Sequence, residues 1–231
     1  MTAEPPPASP DEPEAGPPAG GAGSDPDAER PGRARASAAR NPGAWAIFLG
    51  TTVIGLVTDL ATKAWAFATV AGRPVAISRE AVLAAAPDLH RLVPQHEPVV
   101  AVPGVLNFTL VLNPGAVFGI GAGRRMFFVA FTLVAIAFAA WMFTAWTSAR
   151  DRMAHVGLGL LVAGGLGNLY DRLAYASVRD FIHPLPGAQL PFGLRWPGGS
   201  SDLWPYVSNV ADAYLLIGIA LLLIYSWRRP S

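Results

Sequence analysis

Four aspartates, Asp59, Asp171, Asp180 and Asp212, interrupt stretches of sequence that are otherwise apolar, and Lys63 and Arg172 are the cations beside them. An ionisable side chain at membrane depth costs roughly 2.5–3.5 kcal/mol at a helix centre on insertion scales, so its presence marks a functional position. Two carboxyl groups at close range cannot easily both ionise. One keeps a proton while the other acts as a base, the arrangement that general acid–base hydrolysis needs.

Spacing gives each group a second, structural reading. Asp59 and Lys63 are four apart with the acid nearer the N-terminus, the favourable order for a helical ion pair. That pair either supports a site or sits near the outer end of its helix with Lys63 reaching to the interface. Asn168, Asp171 and Arg172 stand at i, i+3 and i+4 and share one helix face. An Asp171–Arg172 pair there would be a purely structural network. Asp180 follows at the outer end of that helix or its exit. Asn209 and Asp212, at i and i+3, suit ordinary capping, with Ser208 or Asn209 as the cap and an acid in the first turn. Convergence favours a site, because two separate helices present carboxylates at one outer level. Spacing leaves open which of the acids react.

Other chemistries lack their residues. The chain has no cysteine, which excludes thiol nucleophiles and thiolate metal sites. His90, His96, His155 and His183 lack the H-E-x-x-H spacing, and no phosphate-binding G-x-x-x-x-G-K-[ST] is present. No metal and no organic cofactor is expected.

Long apolar helices must position these groups. Of 231 residues, 52% are hydrophobic and 14% charged, against about 25% charged in soluble domains. Residues 1–43 hold ten of the 22 prolines and seven of the 16 acidic residues. They are expected to be a disordered, cytoplasmic Pro/Gly-rich leader. The remainder, 44–231, contains four stretches long enough to cross a bilayer: about Ala44 to Val70, Met126 to Thr147, Met153 to Tyr175 and Val207 to Trp227. The expected fold is an all-α membrane protein, a four-transmembrane-helix bundle with a small β-rich extracytoplasmic cradle. A short helix is predicted over Ser78 to Ala86 and a strand over Gly104 to Leu112. Gly159, Ala163 and Gly167, at four-residue spacing, predict a close helix–helix contact.

Arg30, Arg33, Arg35 and Arg40, then Arg150 and Arg152, then Arg228 and Arg229 fall on one side of four spans, which makes that side and both termini cytoplasmic. Arg124 and Arg125 oppose this and are outvoted. A cleaved signal peptide is disfavoured, because the leader is too long and Asp59 and Lys63 break the apolar run.

The same residues resemble a known family. Asn113-Pro114-Gly115-Ala116-Val117-Phe118 resembles the N-x-G-A-x-F of bacterial lipoprotein signal peptidases (signal peptidase II). Gly167-Asn168-Leu169-Tyr170-Asp171-Arg172 with Val178-Arg179-Asp180-Phe181 resembles their G-N-x-x-D-R and V-x-D-F. Asn209-Val210-Ala211-Asp212 resembles their N-x-A-D, and Asp59 with Lys63 fits the D-x-x-x-K of their first span. Ser208 stands where the family has Phe, the outer segments 72–102 and 183–205 are longer, and the leader is extra. These departures bear on substrate fit.

The resemblance implies an intramembrane aspartic endopeptidase of the bacterial plasma membrane, working at the extracytoplasmic face. Asp180 and Asp212 would be catalytic and Asp171 structural. Asn168, Arg172 and Asn209 would position the pair and the substrate, Asn113 and Gly115 would cradle the substrate, and Asp59 and Lys63 would support the site. The implied substrate is a diacylglyceryl prolipoprotein, cut just before its lipidated cysteine. Membrane lipid is the other expected partner; nucleic acid is not, since the positive charge is scattered over span flanks. A single chain holds every residue needed, so a monomer is expected to function. The rival is a small proton-relay or transport protein using intramembrane carboxylates, against which the chain shows no inverted repeat and no matched pair of broken helices. A third reading is an assembly protein whose Asn and Asp merely bond helices together.

Overall fold

The computed structural model describes residues 1–2, 37–115 and 125–228. The expected disorder of residues 1–43 falls mainly on 3–36, outside the described residues, as do Arg30, Arg33, Arg35, Arg124 and Arg229. Among the described residues four helices are long and apolar enough to cross a membrane: α1 (Pro42–Thr69), α3 (Arg125–Trp146), α4 (Arg152–Ala174) and α5 (Val210–Arg228). Their bounds fall within about three residues of those read from hydropathy, because apolar length dictates them. Asn41 starts α1 by accepting a hydrogen bond from the Ala44 N–H at 2.9 Å, with Pro42 in the first turn.

Helix α4 is the centre of the bundle. Its most apolar window is 61% buried within the protein, against 28% for α1, 17% for α3 and 11% for α5, which turn most of their surface to lipid. Two stripes of small residues make this possible. On one face Gly159, Ala163 and Gly167 meet Thr51, Gly55 and Asp59 of α1, also four residues apart. A Cβ on Gly159 would lie 2.8 Å from the Thr51 Cβ, and one on Gly167 would overlap Asp59 Oδ2. On the other face Gly164 lies against the Ala211 carbonyl of α5. Hydrophobic attraction between helices vanishes in lipid, so close backbone approach of this kind is what joins them.

Among the described residues three strands cover one end of the bundle: β1 (Val99–Val102), β2 (Leu106–Asn113) and β3 (Val178–Pro184), antiparallel in the order β1-β2-β3. The short helix α2 (Arg79–Ala85), capped by Ser78, lies on the segment before them. Leu110, Leu112 and Phe181 bury their side chains with Phe67 and Val70 at the end of α1. The third strand decides between the two expected places for Asp180, in favour of the helix exit. The chain leaves α4 at Ala174 and turns through Ala176 at a positive φ of 59° before entering β3, so Asp180 sits mid-strand and not on a helix end. Residues 178–181 are buried on both faces, which hides the polar–apolar alternation that would have announced a strand.

Candidate active site

The local geometry of β3 sends neighbouring side chains to opposite sides. Arg179 turns toward α4 and meets Asp171: its backbone N–H donates to Oδ2 at 3.0 Å, and its Nη2 and Nε donate to Oδ1 at 2.8 and 3.2 Å. The structural pairing expected between Asp171 and Arg172 is therefore made by Arg179 instead. Asp180 turns the other way. In the β2–β3 register Asn113 pairs with Val178, so Asp180 is its diagonal neighbour on the same face. The Asn113 Nδ2 donates to Asp180 Oδ2 at 3.0 Å.

Asp212 enters from α5, where the capping reading of Asn209 and Asp212 holds. The Asp212 N–H donates to Asn209 Oδ1 at 3.2 Å and the Asn209 N–H returns a bond to Asp212 Oδ2 at 3.1 Å, a reciprocal capping box. Only one carboxylate oxygen is used in this way. The other, Oδ1, accepts from Asn168 Nδ2 at 2.9 Å. Asn209 also bridges the two acids, because its Nδ2 donates to Asp180 Oδ1 at 2.6 Å.

Lys63 fixes the orientation of this network. The pair with Asp59 does not reach the interface. Lys63 and Asp59 are both fully buried, and the ammonium lies 2.9 Å from Asp59 Oδ2 and 3.4 Å from Asp171 Oδ2. It also donates to Asn168 Oδ1 at 3.0 Å. An ammonium only donates, so it holds the Asn168 oxygen toward itself and leaves the amide nitrogen to face Asp212. Asn209 Nδ2 adds a second bond to the same oxygen at 3.2 Å. Asp59 Oδ1 in turn accepts from the Ala211 N–H at 2.9 Å, tying α1 to the first turn of α5.

Arg172 leaves this ion cluster and reaches the β2 end. Its Nη2 donates to the Gly115 carbonyl at 3.2 Å and its Nη1 to the Asn168 carbonyl at 3.3 Å, with the guanidinium over the Phe128 ring. The Gly115 N–H donates to Asn113 Oδ1 at 3.0 Å, so the Asn113–Gly115 turn is held from both sides. The nine residues that the resemblance marks as catalytic or supporting, and Asp171 with them, thus lie at one end of the bundle. Arg179 and Ala211 were missed. Ala211 acts through its backbone, which no residue type signals, and Arg179 needed the strand to be seen first.

Burial and the neighbouring Asp212 carboxylate push the Asp180 carboxyl up to about 7, while the hydrogen bonds from Asn113 and Asn209 and the charge of Lys63 oppose the rise. Near neutral pH the pair therefore retains a proton, the condition for one acid and one base side by side.

A four-span bundle with linked carboxyl groups at one end is the architecture of a membrane-embedded aspartic peptidase. The family model for signal peptidase (SPase) II matches residues 51–228, and the chain belongs to that family. It is 32% identical over 135 residues to the lipoprotein signal peptidase of Halothermothrix orenii, spanning 58% of this chain and 79% of that one. It is also 32% identical over 129 residues to that of Desulfitobacterium hafniense strain DCB-2, spanning 55% and 73%. A bacterial membrane enzyme solved by the in meso method at 2.3 Å superposes with a TM-score of 0.54 at 26% identity, covering 77% of this chain and 85% of the other. A second, solved at 1.9 Å, gives 0.51 at 24% identity, over 79% and 96%, and bears on the fold alone.

Proposed function

We propose that this signal peptidase cuts diacylglyceryl-modified prolipoproteins just before the lipidated cysteine, with Asp180 and Asp212 as its catalytic pair. The observation that carries the assignment is the shared set of donors: Asn168 and Asn209 bond both acids into one unit, while Asp59 and Asp171 are occupied by Lys63, Ala211 and Arg179. The ionised partner takes a proton from water, and the water oxygen adds to the scissile carbonyl carbon. The protonated partner gives its proton to the carbonyl oxygen. The intermediate then collapses: the C–N bond breaks, the proton held by the first carboxyl passes to the leaving amine, and one hydroxyl of the intermediate returns its proton to the second carboxylate as the product carbonyl forms, which restores the pair. Asn113 and Gly115 border the pair from the sheet side, where an extended peptide would lie, and Arg172 holds their turn.

The exposed cations Arg40, Arg150, Arg152 and Arg228 lie at the opposite end of the helices from the aspartates, which supports cytoplasmic termini and an extracytoplasmic site. A bond whose neighbouring cysteine is lipid-anchored is held at that interface, so the enzyme meets it without extracting it from the bilayer. All of the named residues come from one chain, which supports a working monomer.

The test is incubation of the purified chain in lipid vesicles with a diacylglyceryl prolipoprotein and with its unlipidated precursor, followed by mass analysis. Release of the signal peptide up to the residue before the cysteine, from the lipidated form alone, is expected. Cleavage elsewhere, or no cleavage, contradicts the reading.

A further inference from the structure

Between β3 and α5 the chain forms an arm that the site does not use. At its base the Ile182 N–H donates to the Ser208 carbonyl, and the Ser208 N–H donates to the Ile182 carbonyl, each at 2.8 Å. Its stem is a short ladder, in which the Leu203 N–H bonds the Ala188 carbonyl at 2.7 Å and the Leu190 N–H bonds the Ser201 carbonyl at 2.8 Å. The Trp196 indole N–H closes it further by donating to the Asp202 carbonyl at 2.8 Å.

The tip is Pro191-Phe192-Gly193-Leu194. Phe192 is 97% exposed and Leu194 57% exposed. Phe192 is also held at φ 59°, a left-handed conformation that costs energy for a residue with a Cβ. A fold that spends strain to present a bare phenyl ring to water would gain nothing by it unless the ring were covered in use.

We propose that this arm is a membrane finger, whose Phe192 and Leu194 insert among the phospholipids of the outer leaflet beside the active site. Three features select lipid as the occupant. Arg195 is the sole Asp, Glu, Lys or Arg from Pro184 to Ser201, so the tip is apolar with one cation behind it, complementary to anionic headgroups. Asp202, at the stem and away from the tip, accepts a hydrogen bond from the Ser200 hydroxyl at 3.1 Å. The base lies next to the first turn of a membrane span, and Trp196 and Trp204 on the arm are of the type that collects at headgroup level. The inference rests on the span assignment and not on the aspartate chemistry.

The chain has no cysteine, so Phe192→Cys offers a unique site for an environment-sensitive fluorophore. The full-length labelled protein is reconstituted in phosphatidylethanolamine–phosphatidylglycerol vesicles, with Leu194→Cys as a second labelling position. Nitroxide placed high on the lipid acyl chain should quench about half the emission, while aqueous iodide has little effect. Emission open to iodide and untouched by the lipid nitroxide, at both positions, overturns the proposal. Shielding that develops only after prolipoprotein is added also overturns it, because the finger would then contact substrate. Signal-peptide release from the same vesicles reports separately on the peptidase reading.

Discussion

Helices α1 and α4 are joined in two different ways along their length. At the end away from the aspartates the packing is apolar. Helix α3 takes part here: its Phe143 stacks on Phe48 of α1 with centroids 4.5 Å apart and meets Trp45 edge-on at 4.6 Å, and Leu158 and Val162 of α4 pack in the same cluster. At the end covered by the sheet α1 and α4 meet through Asp59, Lys63, Asn168 and Asp171, three of them fully buried and Asn168 nearly so. The small-residue stripe runs through both ends, with Gly159 against Thr51 and Gly167 against Asp59. The difference separates two tasks. Apolar packing needs no special residue to orient it, whereas a polar network fixes the direction of every amide and carboxylate it contains. Under the proposed assignment the apolar end carries packing and the polar end carries the reacting groups.

That division is tested most severely at the paired acids. Asp180→Asn or Asp212→Asn should lower signal-peptide release at least about 10³-fold, as loss of a general acid or base does, while the thermal midpoint holds. Lys63→Met is expected to breach the division, because it strands the buried Asp59 without its cation and leaves Asp171 with Arg179 alone. A loss of about 3–5 kcal/mol is expected in denaturant unfolding, together with loss of turnover.

The two glycines give a sharper contrast, since the chemical change is the same. Gly167→Ala pushes Asp59 aside and through it Lys63 and Asn168, so turnover should fall about 100-fold, the effect of misplacing a reacting group by about an ångström. Gly159→Ala strikes only packing. It should cost about 2 kcal/mol in unfolding with turnover kept below the midpoint.

The smallest effect concerns proton affinity. Activity should fall as pH rises through about 7, where the pair loses its shared proton. The Asn113 hydrogen bond favours the ionised form of Asp180, so Asn113→Ala should move that alkaline limb to higher pH and lower the rate about tenfold. A limb that moves to lower pH contradicts this role for Asn113.

Hydropathy made the four spans legible, because twenty apolar residues have one stable form in a bilayer. The Gly159–Gly167 stripe was equally readable, since its spacing states its face. Asp180 shows where the reading stopped. Its strand is buried on both faces and pairs with residues 65 or more positions away, so no local period marks it. The role of Lys63 was hidden for a related reason. Spacing of four identifies a pair with Asp59, but only the approach of α4 shows that the ammonium also orients Asn168. Asn209 and Asp212 could be read as a cap or as a site; the cap uses Oδ2 of Asp212 and leaves Oδ1 to Asn168, so the cap does not exclude the proposed role.

The central claim is that Asp180 and Asp212 act as a single unit, and turnover of Asp180→Asn, Asp212→Asn and the double variant measures this directly. Groups that work together lose nearly everything at the first substitution. The double variant in lipid vesicles should therefore release signal peptide no more slowly than either single variant, with all three inserted and folded. Single losses that multiply in the double variant, or full activity in either single variant, would contradict the account.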